Sequence, residues 1–202
     1  MNAIGFAGSR DLSPTFTPLV TRVIASCIAT GISSFTVGCA SGADTMALSA
    51  LISAGVARQV SVFTAFSASG IGAWHSSAVA TVYSASTAGA HIIWLAGGPV
   101  TLPLTTRLRA RSSAAIASLP IGSTWCSFLS SAFSPGSMRS ARLAAARGLT
   151  VIVFPCGFSP SILLPLSSNG HWISTPTSSI FTGAIMWCTT TVNTNNTLTG
   201  FK

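Results

Sequence analysis

The chain has 202 residues, enough for one ordinary domain with a short appendage. Nearly half of it is apolar (49%) and only 6% is charged: nine arginines, a single lysine at Lys202 and two acids, Asp11 and Asp44, for a net charge of +8. So apolar a composition excludes a disordered chain, and apolar runs that are short and broken by Ser, Thr, Gly and Pro exclude a helical membrane span.

In chain order, short apolar runs alternate with longer amphipathic stretches, the pattern of a parallel sheet with crossover helices. Ala3 to Ala7 reads as a buried strand ending in Gly8-Ser9-Arg10. Ser13-Pro14 then reads as a cap and first helical position, with Leu19, Val20, Val23, Ile24, Cys27 and Ile28 at helical spacing and Gly31 closing the helix. Phe35 to Val37 is the second strand, leading through Gly38 to Asp44 into a helix over Thr45 to Ala54. Val60 to Phe63 is the third strand. A Gly/Ser loop over Ser67 to Ala73 precedes a helix expected over Trp74 to Ala88. His91 to Leu95 is the fourth strand, and a helix over Pro103 to Ser118 follows. Thr124 to Leu129 is the fifth strand. A loop from Ser130 to Ser137 leads to a helix over Met138 to Arg147 with Gly148 as its C′ residue. Thr150 to Phe154 is the sixth strand.

Beyond Gly157 the texture shifts to Ser, Thr, Asn and Pro, and His171 to Ser174 and Ile180 to Val192 read as strands. The expected organisation is one domain over residues 1–157 and a tail over 158–202 that packs on it as a hairpin or extended segment. About 45 residues rarely build a core of their own.

The positive balance favours anionic partners, although with two acids even scattered bases produce it. The beginning MNAIGFAGSR lacks a basic region and a long apolar run, so a soluble, cytoplasmic protein is expected. Cys27, Cys39, Cys126, Cys156 and Cys188 are widely spaced, with no CxxC pair, and read as reduced structural thiols. His75, His91 and His171 have no metal-binding spacing; neither a metal nor a cofactor is expected.

Three Gly/Ser turns follow predicted strands and enter helices: Gly8-Ser9-Arg10, Gly38 to Asp44, and Gly136-Ser137. A helix N-terminus presents free N–H groups and partial positive charge, glycine lets the backbone approach a phosphate, and serine adds a donor. In an open α/β sheet such loops gather at the carboxyl ends of the strands, where ligands bind. The alternative for each is a tight turn or cap, with Ser9, Ser13 and Ser137 satisfying helix ends. Asp44, at a helix start, either bonds a ribose hydroxyl or base edge, or positions a water, or else stabilises the helix dipole. Arg107 and Arg111 share a helical face and Arg109 points elsewhere; the cluster either meets phosphate or a DNA backbone, or is a solvated face. Arg139 is close enough to Ser137 to assist an anion. Trp74-His75 is a candidate platform for a base.

The order Gly8-Ser9-Arg10, then Val37-Gly38-Cys39-Ala40-Ser41-Gly42-Ala43-Asp44, then Gly136-Ser137-Met138 running on to Val151-Ile152-Val153-Phe154-Pro155, resembles the SLOG superfamily. That group includes the DNA-processing protein A (Smf) proteins and the LOG-type cytokinin-activating enzymes. The resemblance spans Met1 to about Cys156. It implies a Rossmann-like fold, an open and mainly parallel sheet with helices on both faces, that binds nucleotides, their derivatives or single-stranded DNA. It also implies that Gly8, Ser9 and Arg10 line a phosphate pocket, that Gly38, Ser41, Gly42 and Asp44 form its second wall, and that Gly136 and Ser137 form its far side. The Pro-Gly-Gly-x-Gly-Thr-x-x-Glu signature of the LOG phosphoribohydrolases is absent. Ser134-Pro135-Gly136-Ser137-Met138 stands in its place without the acid that N-glycosidic hydrolysis needs.

The expected function is therefore binding of a nucleotide or nucleotide-derived ligand. Single-stranded DNA binding through Arg107, Arg109 and Arg111 is the alternative. An enzyme cleaving a nucleotide bond has less support, since no catalytic base beyond Asp44 is visible. A structural or assembly protein that kept the fold and lost the ligand also fits, because so few surface charges oppose homo-oligomer formation.

Overall fold

Alternating apolar runs and amphipathic segments fold, in a computed structural model describing residues 3–189, into one eight-stranded sheet flanked by helices. The strands are β1 (Ala3–Gly8), β2 (Ser34–Val37), β3 (Val60–Phe63), β4 (His91–Ile93), β5 (Thr124–Leu129), β6 (Thr150–Pro155), β7 (Gly170–Ser174) and β8 (Ile185–Thr189). The helices are α1 (Thr17–Ala29), α2 (Ala43–Ser53), α3 (Ser76–Thr87), α4 (Leu104–Ser118) and α5 (Pro135–Ala146). Strand order is β4-β3-β2-β1-β5-β6-β8-β7. The first six strands pair in parallel and the β7–β8 hairpin joins β6 antiparallel. The architecture is thus a mainly parallel, Rossmann-like α/β sheet.

Strands buried on both faces are near-continuously apolar, and two cores lie on either side of the sheet. One gathers Phe6 and Phe35 with Val23 and Ile24 of α1, Leu48 and Leu51 of α2 and Val82 of α3. The other gathers Trp125 and Val153 with Ile116 of α4, Met138 and Ala141 of α5, and Leu163, Leu166 and Trp187 from beyond β6. Phe6, Phe35, Phe128 and Phe154 are wholly enclosed, each worth about 1.5–3 kcal/mol by burial. The first three helices therefore cover one face and the last two the other. α4 carries the chain from edge strand β4 back to β5 beside β1, which reverses the direction of winding. The switch point lies between β1 and β5, where a crevice opens at the strand carboxyl ends.

Local departures from the sequence expectations have physical causes. Ser13 caps a single 3-10 turn, Pro14–Phe16, through Thr15 N–H (3.3 Å), and α1 starts only at Thr17, with Pro18 in its first turn. α3 begins at Ser76, leaving Trp74 and His75 in the preceding loop. β4 stops at Ile93, and Leu95 takes a positive φ of 54° just beyond it. α5 starts at Pro135, whose ring fixes a helical φ at the first position, so Gly136 and Ser137 belong to its first turn rather than to a loop. In the tail, Phe181 and Ala184 carbonyls accept from Thr175 Oγ1 (2.7 and 3.0 Å), folding residues 180–184 into the hairpin's connection and shortening its second strand. The expected strand beyond Thr189, and Lys202, lie outside the described residues. No helix among the described residues is long and apolar enough to cross a membrane.

Candidate functional site

Gly8 ends β1 where no side chain would fit: a Cβ there would meet the Phe128 carbonyl and Ala43. This close approach lets β1, β5 and the start of α2 converge at the crevice. Ser9 follows and is almost wholly buried, with 1% exposed. Its Oγ accepts from Ser130 N–H (3.0 Å) and shares a hydrogen bond with Ser134 Oγ (3.1 Å), while its carbonyl accepts from Ala43 N–H (3.1 Å). Ser9 thus laces the loops after β1 and β5 together beneath the crevice. Nearby, Ser130 Oγ donates to Asp11 (2.7 Å), which fixes that exposed turn residue. Gly42, at φ 72°, is the N-cap of α2, and its Cα faces the backbone of Ser9 and Arg10 so closely that only glycine fits. Ser41 Oγ donates to the Arg10 carbonyl (3.2 Å).

The second acid, Asp44, lies in the first turn of α2 and is buried. Its Oδ2 accepts from Ala40 N–H (3.0 Å) and from Arg111 Nη1 (2.9 Å). Arg111 belongs to α4, on the opposite face of the sheet. Its guanidinium reaches Asp44 over the end of β2, through space that a Cβ on Gly38 would fill. Burial opposes the Arg111 charge, but the facing Cys39 and Asp44 groups and the Asp44 hydrogen bond outweigh it, so the guanidinium is held above its ordinary value. Arg111 Nε has no partner among the described residues. Arg107, one turn earlier on the same face of α4, is buried too. It donates to the carbonyls of Leu102 (3.0 Å), Gly72 (2.9 Å) and Ala65. Neither arginine is on a solvated helix face; both tie strand-end loops to α4. Arg109, between them, is exposed.

Above this floor opens a pocket of about 270 Å³, far more than one water needs. Its walls bring together Gly8 and Arg10 after β1, Asp44 of α2, Arg109 and Arg111 of α4, and Gly136, Ser137 and Arg139 at the start of α5. Arg107, Gly38 and Gly42 do not line it, and Ser9 lies beneath it. Among the described residues Arg10, Arg109 and Arg139 have no acid within ion-pair distance. α5 offers its first-turn N–H groups without a side-chain cap, because the Ser134 hydroxyl at its N-cap is turned to Ser9. Four guanidinium groups, one of them neutralised by Asp44, and a helix N-terminus thus surround one hollow, an arrangement suited to holding an anion. Thr105, Leu108, Ser112 and Ser140 also line it. None carries a sequence motif; the crossing of α4 under the strand ends puts the first three there. Ser41 instead borders a narrower slot, next to the pocket, that contains Trp74 and His75.

Neither a protein-family model nor a curated protein matches the chain. Among solved structures, the X-ray structure of DNA processing protein A from Streptococcus pneumoniae is similar, with a TM-score of 0.60 at 17% identity. The similarity covers 80% of this chain and 53% of that one, so this chain spans about half the length of that protein. At such identity the likeness is one of architecture: the chain shares the Rossmann-like α/β fold of DNA processing protein A.

Proposed function

We propose that this protein binds a phosphate-bearing ligand, a nucleotide or nucleotide derivative, in the pocket at the β1–β5 switch point. The observation that carries this reading is the meeting of Arg10, Arg109, Arg111 and Arg139 with the uncapped start of α5 around one hollow. In a chain with two acids, the pocket holds one carboxylate, Asp44, and its Oδ2 is engaged by Arg111 and Ala40. A carboxylate so engaged suits holding Arg111 in place better than activating water, so the reading is of binding rather than of hydrolysis.

Titration calorimetry with mono- and dinucleotides tests it. Arg109→Ala and Arg139→Ala, both at exposed side chains, should each raise Kd about tenfold or more, the effect of losing a charge-assisted hydrogen bond. Neither should shift the melting temperature appreciably. Failure of every phosphate compound to bind at low salt, or indifference to both variants, rejects the reading.

A second reading is favoured by the exposure of Arg10, Arg109 and Arg139, together with the fold shared with a protein named for DNA processing. The same arginines would then hold the phosphodiesters of a single strand. Oligonucleotide affinity should in that case fall steeply as salt rises, whereas a mononucleotide held by the pocket alone should show a shallower slope.

A further inference from the structure

The arginine pocket has a neighbour of opposite character. Arg10, Ala40 and Leu108 line both it and a slot formed by Cys39, Ala65, Phe66, Ala78, Leu104 and the Trp74-His75 pair. The floor is apolar and buried: Phe66 packs against Trp94, with ring centroids 6.0 Å apart, and Ala65 N–H donates to Cys39 Sγ (3.3 Å). The outer wall faces solvent. Trp74 is 65% exposed, meets His75 edge-on at 6.0 Å, and its Nε1 makes no hydrogen bond among the described residues. As it stands the slot has about 20 Å³ of open space, room for about one water. Trp74 also borders a shallow groove of about 410 Å³ with Val79 and Tyr83, so its indole has space to rotate into. An exposed tryptophan over an apolar floor, beside unpaired arginines, is the arrangement that receives a flat aromatic ring covalently joined to a phosphate.

We propose that Trp74 and the slot behind it form a base-binding subsite, occupied by the ring of a ligand whose phosphate lies among the arginines. This rests on the reading above and adds the place where the ligand's aromatic base is held, whether a free nucleotide or a nucleic-acid strand presents it. Sugar phosphates and inorganic phosphate reach only the arginines. Trp74 opens outward to admit the ring and stacks on it, and Arg10 stands at the junction of the two subsites.

Calorimetry and tryptophan fluorescence on the full chain test it with four probes: ribose 5-phosphate, adenosine, adenosine 5′-monophosphate and a short oligothymidylate. The monophosphate should bind about tenfold or more tightly than ribose 5-phosphate and quench fluorescence, with the quenching lost in Trp74→Ala. That variant should bring the monophosphate's affinity down to that of ribose 5-phosphate and leave the latter unchanged, while Trp74→Phe keeps most of the difference. Equal binding of the two phosphates, or equal weakening of both by Trp74→Ala, overturns the base subsite and leaves the anion pocket standing. Trp74-dependent adenosine binding that phosphate does not improve supports the base subsite and removes the anion pocket. No binding by any probe overturns both. Trp74-dependent affinity higher for the oligothymidylate than for the monophosphate assigns the ring to a strand, and the reverse assigns it to a free nucleotide; either supports the subsite.

Discussion

At Gly38 the missing side chain is what allows charges from opposite faces of the sheet to meet. A Cβ there would fall on the Arg111 guanidinium and the Asp44 carboxylate, so Gly38→Ala must separate a buried ion pair. Breaking such a pair typically costs about 3–5 kcal/mol. The variant should show a correspondingly lower denaturation midpoint with an unchanged m-value, and a midpoint like the parent's would mean that the pair can move aside. The thiols give a second residue-level prediction. Burial pushes Cys27 up to about 12 and Cys156 up to about 11 from 9.0, and raises Cys126 as well, chiefly by burial. The folded chain keeps these protons while the unfolded chain releases them above pH 9. Their contribution is therefore complete below that pH and is lost as pH climbs toward the folded values, at about 1.4 kcal/mol per pH unit for each thiol once the unfolded groups are ionised. Denaturant midpoints measured from about pH 8 to 11 should fall in that way, and Cys27→Ala should flatten the fall.

The elements were legible in proportion to the local physics behind them. Strands β1 to β6 announced themselves as short apolar runs, and the helices between them by their spacing and by Gly31 and Gly148. Boundaries set by one residue's backbone were less legible: Pro135 started α5 three residues before the expected Met138, and Leu95 ended β4 early. The Gly/Ser turns after β1 and β2 were readable as strand ends. That Ser9 faces inward to Ser130 and Ser134, or that Arg107 and Arg111 are buried while Arg109 is free, depends on α4 crossing the sheet. No local pattern encodes that crossing. The hairpin supplies an element-level prediction. Leu163, Leu166, Ile185 and Trp187 are all buried in the core shared with α4 and α5, and β8 pairs with Ile152 and Val153 of β6. A fragment of residues 1–157 would bare that apolar surface and an open strand edge. It should melt lower and self-associate; a monodisperse fragment with the full chain's melting temperature would show that the first 157 residues are self-sufficient.

For the molecule as a whole, the proposed anion pocket and the packing beneath it draw on the same helix. α4 carries Arg109 outward to the pocket and Arg107 and Arg111 inward to the loops after β2 and β3. Losing Arg111, which is buried and also lines the pocket, should therefore lower the midpoint as well as the affinity, losing Arg107 should lower chiefly the midpoint, and Arg109→Ala should lower affinity alone. The place of β1 at the centre of the sheet also bears on how the chain is made. Its far neighbour β5 pairs Ile4 with Thr124, so about 120 residues must leave the ribosome before the second side of β1 can be closed. Until then the half-sheet of β1 to β4 has a bare, apolar inner border during synthesis. The long loop closure slows its completion and makes that border the point at which nascent chains would adhere to one another.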